Sequence, residues 1–361
     1  MAREGLLLVN LGTPDAPRTP EVRRYLREFL SDPRVFDMHP VKRALILELL
    51  ILPFRPSRSA EAYQKIWQER GSPLLFHGED LVAKLRQRLG PEVRVELAMR
   101  YQNPSVGSAL DRLCSAGADR VVVFPMFPQY SSAAWGSAVE KVFAEGGSRW
   151  NVPAFEVVAP FYDHPAFLDA SATIAGRERD RFAPDYYLMS FHGLPERQVT
   201  KSDLTKGAHC LRDGCCASIG EANRFCYRAQ CFATARGIAE RLGIAGDRYE
   251  VTFQSRLGRD PWIEPYTDVR VIELAQAGVK RLAVLSPAFV ADCLETLEEL
   301  AIRAREDFIA HGGEDLRLVP SLNSEEVWVD ALLEILGTRS ALIPGDRSTI
   351  GSRTATVGGQ S

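Results

Sequence analysis

Ala116-Gly117-Ala118-Asp119-Arg120-Val121-Val122-Val123 and Ala277-Gly278-Val279-Lys280-Arg281-Leu282-Ala283-Val284 lie 161 positions apart and spell one pattern. Each is a helix end, a glycine, then a buried strand that soon meets a proline, Pro125 or Pro287. A second echo pairs Asn10-Leu11-Gly12-Thr13-Pro14 with Phe191-His192-Gly193-Leu194-Pro195. The repeated unit approaches half the chain, too long for a solenoid. The economical reading is two similar α/β domains facing each other across a cleft.

Short runs rich in Val, Leu and Phe support this. Residues 6–11, 93–99, 120–124, 155–158, 187–191, 249–254 and 281–286 read as strands covered on both faces, as in parallel sheets. Amphipathic stretches at 78–89, 105–116, 131–143, 267–277 and 291–304 read as helices between them. The alternation is that of doubly wound, Rossmann-like sheets, whose ligands collect beyond the carboxyl ends of strands. Predicted boundaries are 1–165, 166–340 and a Gly/Ser/Thr-rich tail at 341–361 that reads as disordered.

A net charge of −3 gives no basic stripe for nucleic acid. No run reaches the roughly 18 apolar residues of a spanning helix, and the first residues read as a strand rather than a signal peptide, so a cytoplasmic protein with reduced thiols is expected. Residues 41–54 are apolar round much of a helix and flanked by Lys42, Arg43, Arg55 and Arg58. They read either as a buried helix or as a greasy lip, spanning about 39–60, that rests on a membrane surface.

Three groups of residues suit chemistry. His192 closes a strand, and its imidazole can take a proton or bind a metal near neutral pH. Asp292, Glu295 and Glu299 are spaced to line one face of a helix, where they would exchange protons or pass a hard cation, or merely complement a helix N-terminus. Arg100, Tyr130 and Trp262 follow strands, in places that suit a flat apolar ligand bearing acidic groups. Separately, Cys210, Cys215, Cys216, Cys226 and Cys231 crowd five of seven cysteines into 22 residues. The spacing lacks paired CxxC units and ferredoxin spacings, and leaves zinc and iron–sulfur both open. Cys215 and Cys216, being adjacent, are expected not to ligate together, and Cys231 lies on a helical run.

The ordered set Asn10-Leu11-Gly12-Thr13-Pro14, Gly71-Ser72-Pro73-Leu74, Arg100-Tyr101, Pro128-Gln129-Tyr130-Ser131, Ser190-Phe191-His192-Gly193-Leu194-Pro195, Gln254-Ser255-Arg256, Pro261-Trp262 and Asp292-Cys293-Leu294-Glu295-Thr296 resembles ferrochelatase, through about Gly337. The resemblance implies two chelatase-like domains with parallel four-stranded sheets, and insertion of Fe2+ into protoporphyrin IX with release of two pyrrole protons. It implies His192 and Glu295 as the opposed active-site pair and Asp292 and Glu299 as an acidic line for metal delivery or protons. Arg55, Arg58 and Tyr63 would lie on the propionate-facing lip, with Arg100, Tyr130 and Trp262 in the pocket. Many family members have histidine where this chain has Cys293. Some carry a [2Fe–2S] cluster. Residues 320–361 hold no cysteine, so the cluster implied here is the internal variant, on four of the five clustered thiols. Coproporphyrin III is an alternative substrate. A cobalt or nickel chelatase and a non-catalytic tetrapyrrole- or metal-binding protein are the competing readings. A monomer resting on the inner face of the cytoplasmic membrane and a homodimer both fit.

Overall fold

The computed structural model describes residues 3–340 except 257 and 259; the predicted tail at 341–361 lies outside the described residues. Among the described residues, eight strands form two parallel sheets. β1 (Arg3–Gly12), β2 (Val93–Tyr101), β3 (Ala118–Pro125) and β4 (Ala154–Val157) are ordered β2-β1-β3-β4. β5 (Tyr186–His192), β6 (Tyr249–Gln254), β7 (Arg281–Leu285) and β8 (Asp315–Leu318) are ordered β6-β5-β7-β8. The second sheet repeats the first strand for strand. The two sequence echoes fall on equivalent strands, β3 with β7 and β1 with β5. Asp315–Leu318 escaped the sequence reading because it is short and carries charges at alternate positions.

The halves are not packed as separate bodies. One buried cluster runs from Leu6, Leu8 and Phe124 through Phe161, Phe167 and Trp328 to Met189, Phe191 and Phe253. The helices Pro73–Leu89, Pro165–Phe182 and Glu326–Arg339 carry this shared core. Burial of so many large apolar side chains, each contributing about 1.5–3 kcal/mol, fixes the halves against each other. Both insertions occur between equivalent strands. The β1–β2 connection carries the lip, and the β5–β6 connection carries the cysteine-rich segment.

The lip is helical but not a buried helix. Pro40–Ile46 runs into a π-helical turn, Leu47–Ile51, then into the helix Arg55–Ile66. Leu47 and Leu52 anchor it, whereas Val41, Leu45, Leu49, Leu50 and Phe54 are 54–69% exposed. Such a run of exposed apolar side chains marks an interaction surface. Among the described residues no helix is long and apolar enough to cross a membrane.

Candidate functional site

His192 is the last residue of β5 and pairs in register with Gln254 of β6. The chain turns at Gly193, where a Cβ would meet the Gln254 carbonyl at 2.9 Å and the Trp262 ring at 3.1 Å. Glycine is therefore what lets the imidazole reach the sheet's carboxyl end with Trp262 beside it. The ring lies between Trp262 and Phe289, at centroid distances of 6.4 and 6.3 Å. Its Nδ1 is 2.6 Å from the Gly193 carbonyl. A carbonyl only accepts, so Nδ1 carries the proton and Nε2 of the neutral ring has a free lone pair.

Gln254 joins this histidine to the acidic segment. Its Nε2 donates to the Glu295 carbonyl at 2.7 Å. The Glu299 carboxylate accepts from the Ser255 amide at 3.0 Å and from the Ser255 hydroxyl. Glu295 faces the other half of the molecule. Its charge is felt by Tyr25, Tyr63 and Arg55, and it bonds to the Cys293 thiol. Tyr25 and Tyr63 are buried and hydrogen-bonded to each other. Burial first, then the negative charge nearby, pushes both hydroxyls far above the usual phenol range. Burial similarly lowers the Arg55 guanidinium, one of whose terminal nitrogens is buried without a protein partner. That donor is suited to an anion entering from the cleft.

Asp292 does not share a helical face with Glu295. Cys293 is extended and caps the helix, its amide donating to the Thr296 hydroxyl at 3.0 Å. The helix therefore begins at Leu294, not near 291, and from Leu297 to Ala304 it is π-helical. Asp292 stands outside it. Its buried carboxylate accepts from Thr296 Oγ1, the Ser321 amide and Asn323 Nδ2, at 3.1, 3.3 and 2.8 Å. The wide turn also buries Glu298, which pairs with Lys65 and Arg303.

Arg100 is committed elsewhere. Its guanidinium holds Asp32 at 2.6 Å and the Ser137 hydroxyl at 2.6 Å, and stacks on Tyr101. Arg58 is exposed. Tyr130 packs on Trp135 and on Phe225 of the cysteine-rich segment. Tyr25, Asp32, Gln254 as a tether, and Phe289 were missed in the sequence. Each acts through partners from distant segments, and neither periodicity nor spacing reports such a pairing.

In the cysteine-rich segment, Cys215 and Cys216 have sulfurs 3.6 Å apart, and Cys216 bonds to Cys226. Cys210, Cys215 and Cys226 line one small cavity with His209, Asp203 and Val199. Burial and the neighbouring Cys215 push the Cys210 thiol up to about 11. The Cys216 contact, acting against burial, lowers Cys226. Cys231 is apart, fully buried on the helix Tyr227–Leu242 and bonded to Tyr227. Among the described residues, no three His, Cys, Asp or Glu side chains are gathered closely enough to hold a metal ion.

The fold is shared with solved chelatase structures. The solved structure of SirB from Bacillus subtilis with Fe3+ is similar with a TM-score of 0.50 at 13% identity, covering 95% of this chain and 98% of that one. The sirohydrochlorin chelatase SirB from Bacillus subtilis subspecies spizizenii in complex with cobalt gives 0.52 at 10%, covering 93% and 95%. Identities this low speak for the fold alone. The sequence is more specific. Residues 3–340 match the Ferrochelatase family. The chain is 48% identical over 331 residues to a ferrochelatase of Coxiella burnetii (strain Dugway 5J108-111), covering 92% of each. It is 44% identical over 335 residues to that of Legionella pneumophila (strain Lens), covering 92% of this chain and 98% of the relative. The chain belongs to the ferrochelatase family.

Proposed function

We propose that this chain inserts Fe2+ into protoporphyrin IX to form protohaem, the terminal step of haem biosynthesis. The observation that carries the reading is the Gln254 tether, which brings a base with a free Nε2 and a carboxylate segment to one strand end. His192 Nε2 accepts a pyrrole proton on one face of the macrocycle. Glu295 meets the ion or the second proton on the other, with Glu299 behind it. Trp262, Phe289 and Tyr130 supply flat apolar walls that favour a distorted ring. Arg55, with Arg58 and Tyr63 nearby on the same helix, receives propionate charge. Asp292, already bonded to three donors and without a cation, serves proton transfer rather than metal delivery.

We infer a [2Fe–2S] cluster on Cys210, Cys215, Cys216 and Cys226, with the adjacent pair ligating together against the expectation from their adjacency, and with Cys231, buried on its helix, as the spare thiol. Thiolates select such centres, and 3.6 Å between two sulfurs is close to the ~3.8 Å spanned by two thiolates bound at about 2.3 Å to one tetrahedral metal. The segment must close further to bring all four together. A bound cluster would order this segment, which shelters Tyr130. The exposed lip fits peripheral contact with the cytoplasmic membrane.

Anaerobic assay with Fe2+ and either protoporphyrin IX or coproporphyrin III tests the activity. Metallation of the first, faster than of the second, is expected; binding without metallation of either refutes it. Anaerobically purified protein should be brown, with iron and sulfide in equal amounts, and colourless zinc protein would refute the cluster.

A further inference from the structure

Three buried polar side chains meet between the segment carrying Tyr130 and the helix Tyr227–Leu242, and the chemistry above uses none of them. Gln129, Gln230 and Thr234 are each no more than 3% exposed. Gln129 follows β3 in the first half of the molecule. Gln230 and Thr234 lie on the helix that leaves the cysteine-rich segment, in the second half. Burying polar groups of this kind costs stability unless each finds a hydrogen bond. Here the bonds converge on residues 128–131.

Gln230 makes the decisive pair. Its Oε1 accepts from the Tyr130 backbone amide at 2.6 Å, and its Nε2 donates to the Arg224 carbonyl at 2.7 Å. A carbonyl only accepts, so Arg224 sets which way round the carboxamide lies and leaves its oxygen facing Tyr130. One helical turn further on, the Thr234 hydroxyl accepts from Gln129 Nε2 at 3.0 Å and donates to the Tyr162 carbonyl at 2.8 Å. The Pro128 carbonyl accepts from the Phe161 amide at 3.0 Å, and the Ser131 hydroxyl accepts from the Ala134 amide at 3.1 Å. Each residue from Pro128 to Ser131 is thus tied down, the Tyr130 amide by Gln230. The Tyr130 ring meanwhile packs on Trp135 and Phe225, at centroid distances of 5.7 and 5.4 Å.

We propose that Gln230 is a positioning residue for the porphyrin pocket: it holds the Tyr130 backbone across the boundary between the halves, so that the ring is set before the macrocycle arrives. The inference rests on the reading of Tyr130 as a pocket wall. A wall already in place spares the binding step the cost of ordering it. Gln230 acts through Tyr130 and not on the reacting atoms. Its loss therefore weakens porphyrin capture and leaves the chemistry at His192 and Glu295 in place.

Gln230→Met nearly keeps the side chain's length and removes both bonds. Porphyrin Kd, read by fluorescence quenching, and porphyrin KM should each rise about tenfold, with kcat at saturating porphyrin within about twofold of wild type. Tyr130→Ala should weaken binding at least as much. Adding Gln230→Met to Tyr130→Ala should change Kd by less than about twofold, because the two residues act as a unit. Hydrogen exchange gives a readout in the unaltered chain: the Tyr130 amide should exchange slowly, and about tenfold or more faster in Gln230→Met. Wild-type affinity in a folded Gln230→Met protein, full additivity with Tyr130→Ala, or a wild-type Tyr130 amide that exchanges freely overturns the positioning role. Wild-type affinity in Tyr130→Ala removes Tyr130 from the wall, and the inference with it. Porphyrin affinity needs no metallation, so a chain that binds porphyrin without inserting iron overturns the metal-insertion reading alone.

Discussion

At the end of β1 the chain runs Asn10-Leu11-Gly12, and at the end of β5 it runs Phe191-His192-Gly193. The strands occupy equivalent places in equivalent sheets, and both turns depend on a glycine that another strand end approaches closely. Only the second carries a titratable side chain. The difference extends beyond the turn. After β3 comes a π-helical turn, Ser132–Gly136, beside the aromatic Tyr130; after β7 comes the π-helical Leu297–Ala304 with its glutamates. Duplication gave two frames. On the proposed reading, the first supplies an apolar wall and lip, and the second carries His192, Glu295 and Glu299, the groups that meet protons and metal. One flat ligand needs both, because an apolar macrocycle must be gripped and its centre must meet charge.

Substitutions at matched positions can break this contrast. The largest effect is expected at the paired strand ends. His192→Ala should lower iron insertion about 10²–10⁴-fold while porphyrin binding persists. Leu11→Ala should cost about 2 kcal/mol of stability and leave the chemistry in place. Comparing kcat with thermal unfolding separates the two, and equal kinetic losses would dissolve the distinction.

Arg100→Ala should act on stability rather than turnover. Removing it strands the buried Asp32 carboxylate, at a cost of about 3 kcal/mol, visible in denaturant unfolding. Burial opposes the Asp32 charge, but hydrogen bonds from Ser137, the Arg34 amide and Tyr101, with the Arg100 charge, outweigh it and depress the pKa. A depressed carboxyl stabilises the fold above its unfolded value near pH 4. That stability drains as pH falls through the lower, folded value. Asp32→Asn should therefore flatten the acid limb of the stability profile, a slope that equilibrium unfolding between about pH 2 and pH 5 will show.

The two turn glycines should differ in degree. An alanine Cβ at Gly12 would stand 2.2 Å from the Tyr101 carbonyl, at φ +129°, against 2.9 Å from a carbonyl at Gly193. Gly12→Ala should cost about 3 kcal/mol or more and Gly193→Ala about 1–2; thermal melts of the two proteins give the order. The smallest change in folding is expected at the lip. Leu49→Ser with Leu50→Ser should alter stability by no more than about 0.5 kcal/mol, yet weaken co-sedimentation with anionic vesicles.

The chain's own order of residues determined a good deal. The period of its apolar runs gave seven of the eight strands, since a strand covered on both faces must be apolar along its length. The echo at 161 residues gave the duplication, and His192 stood out because the glycine and proline after it announce a strand end. Tertiary structure alone decided which of the remaining candidates stand together. Spacings of three, four and seven suggested one acidic face, but Cys293 caps the helix and leaves Asp292 outside it. Arg100 looked ready for a ligand until Asp32, 68 residues away, took its charge. Tyr25 gave no signal at all, because what distinguishes it is Tyr63, a neighbour from a remote segment. Local pattern records what a residue does to its own turn of helix or strand; a buried charge is placed by partners that only the packed chain brings near.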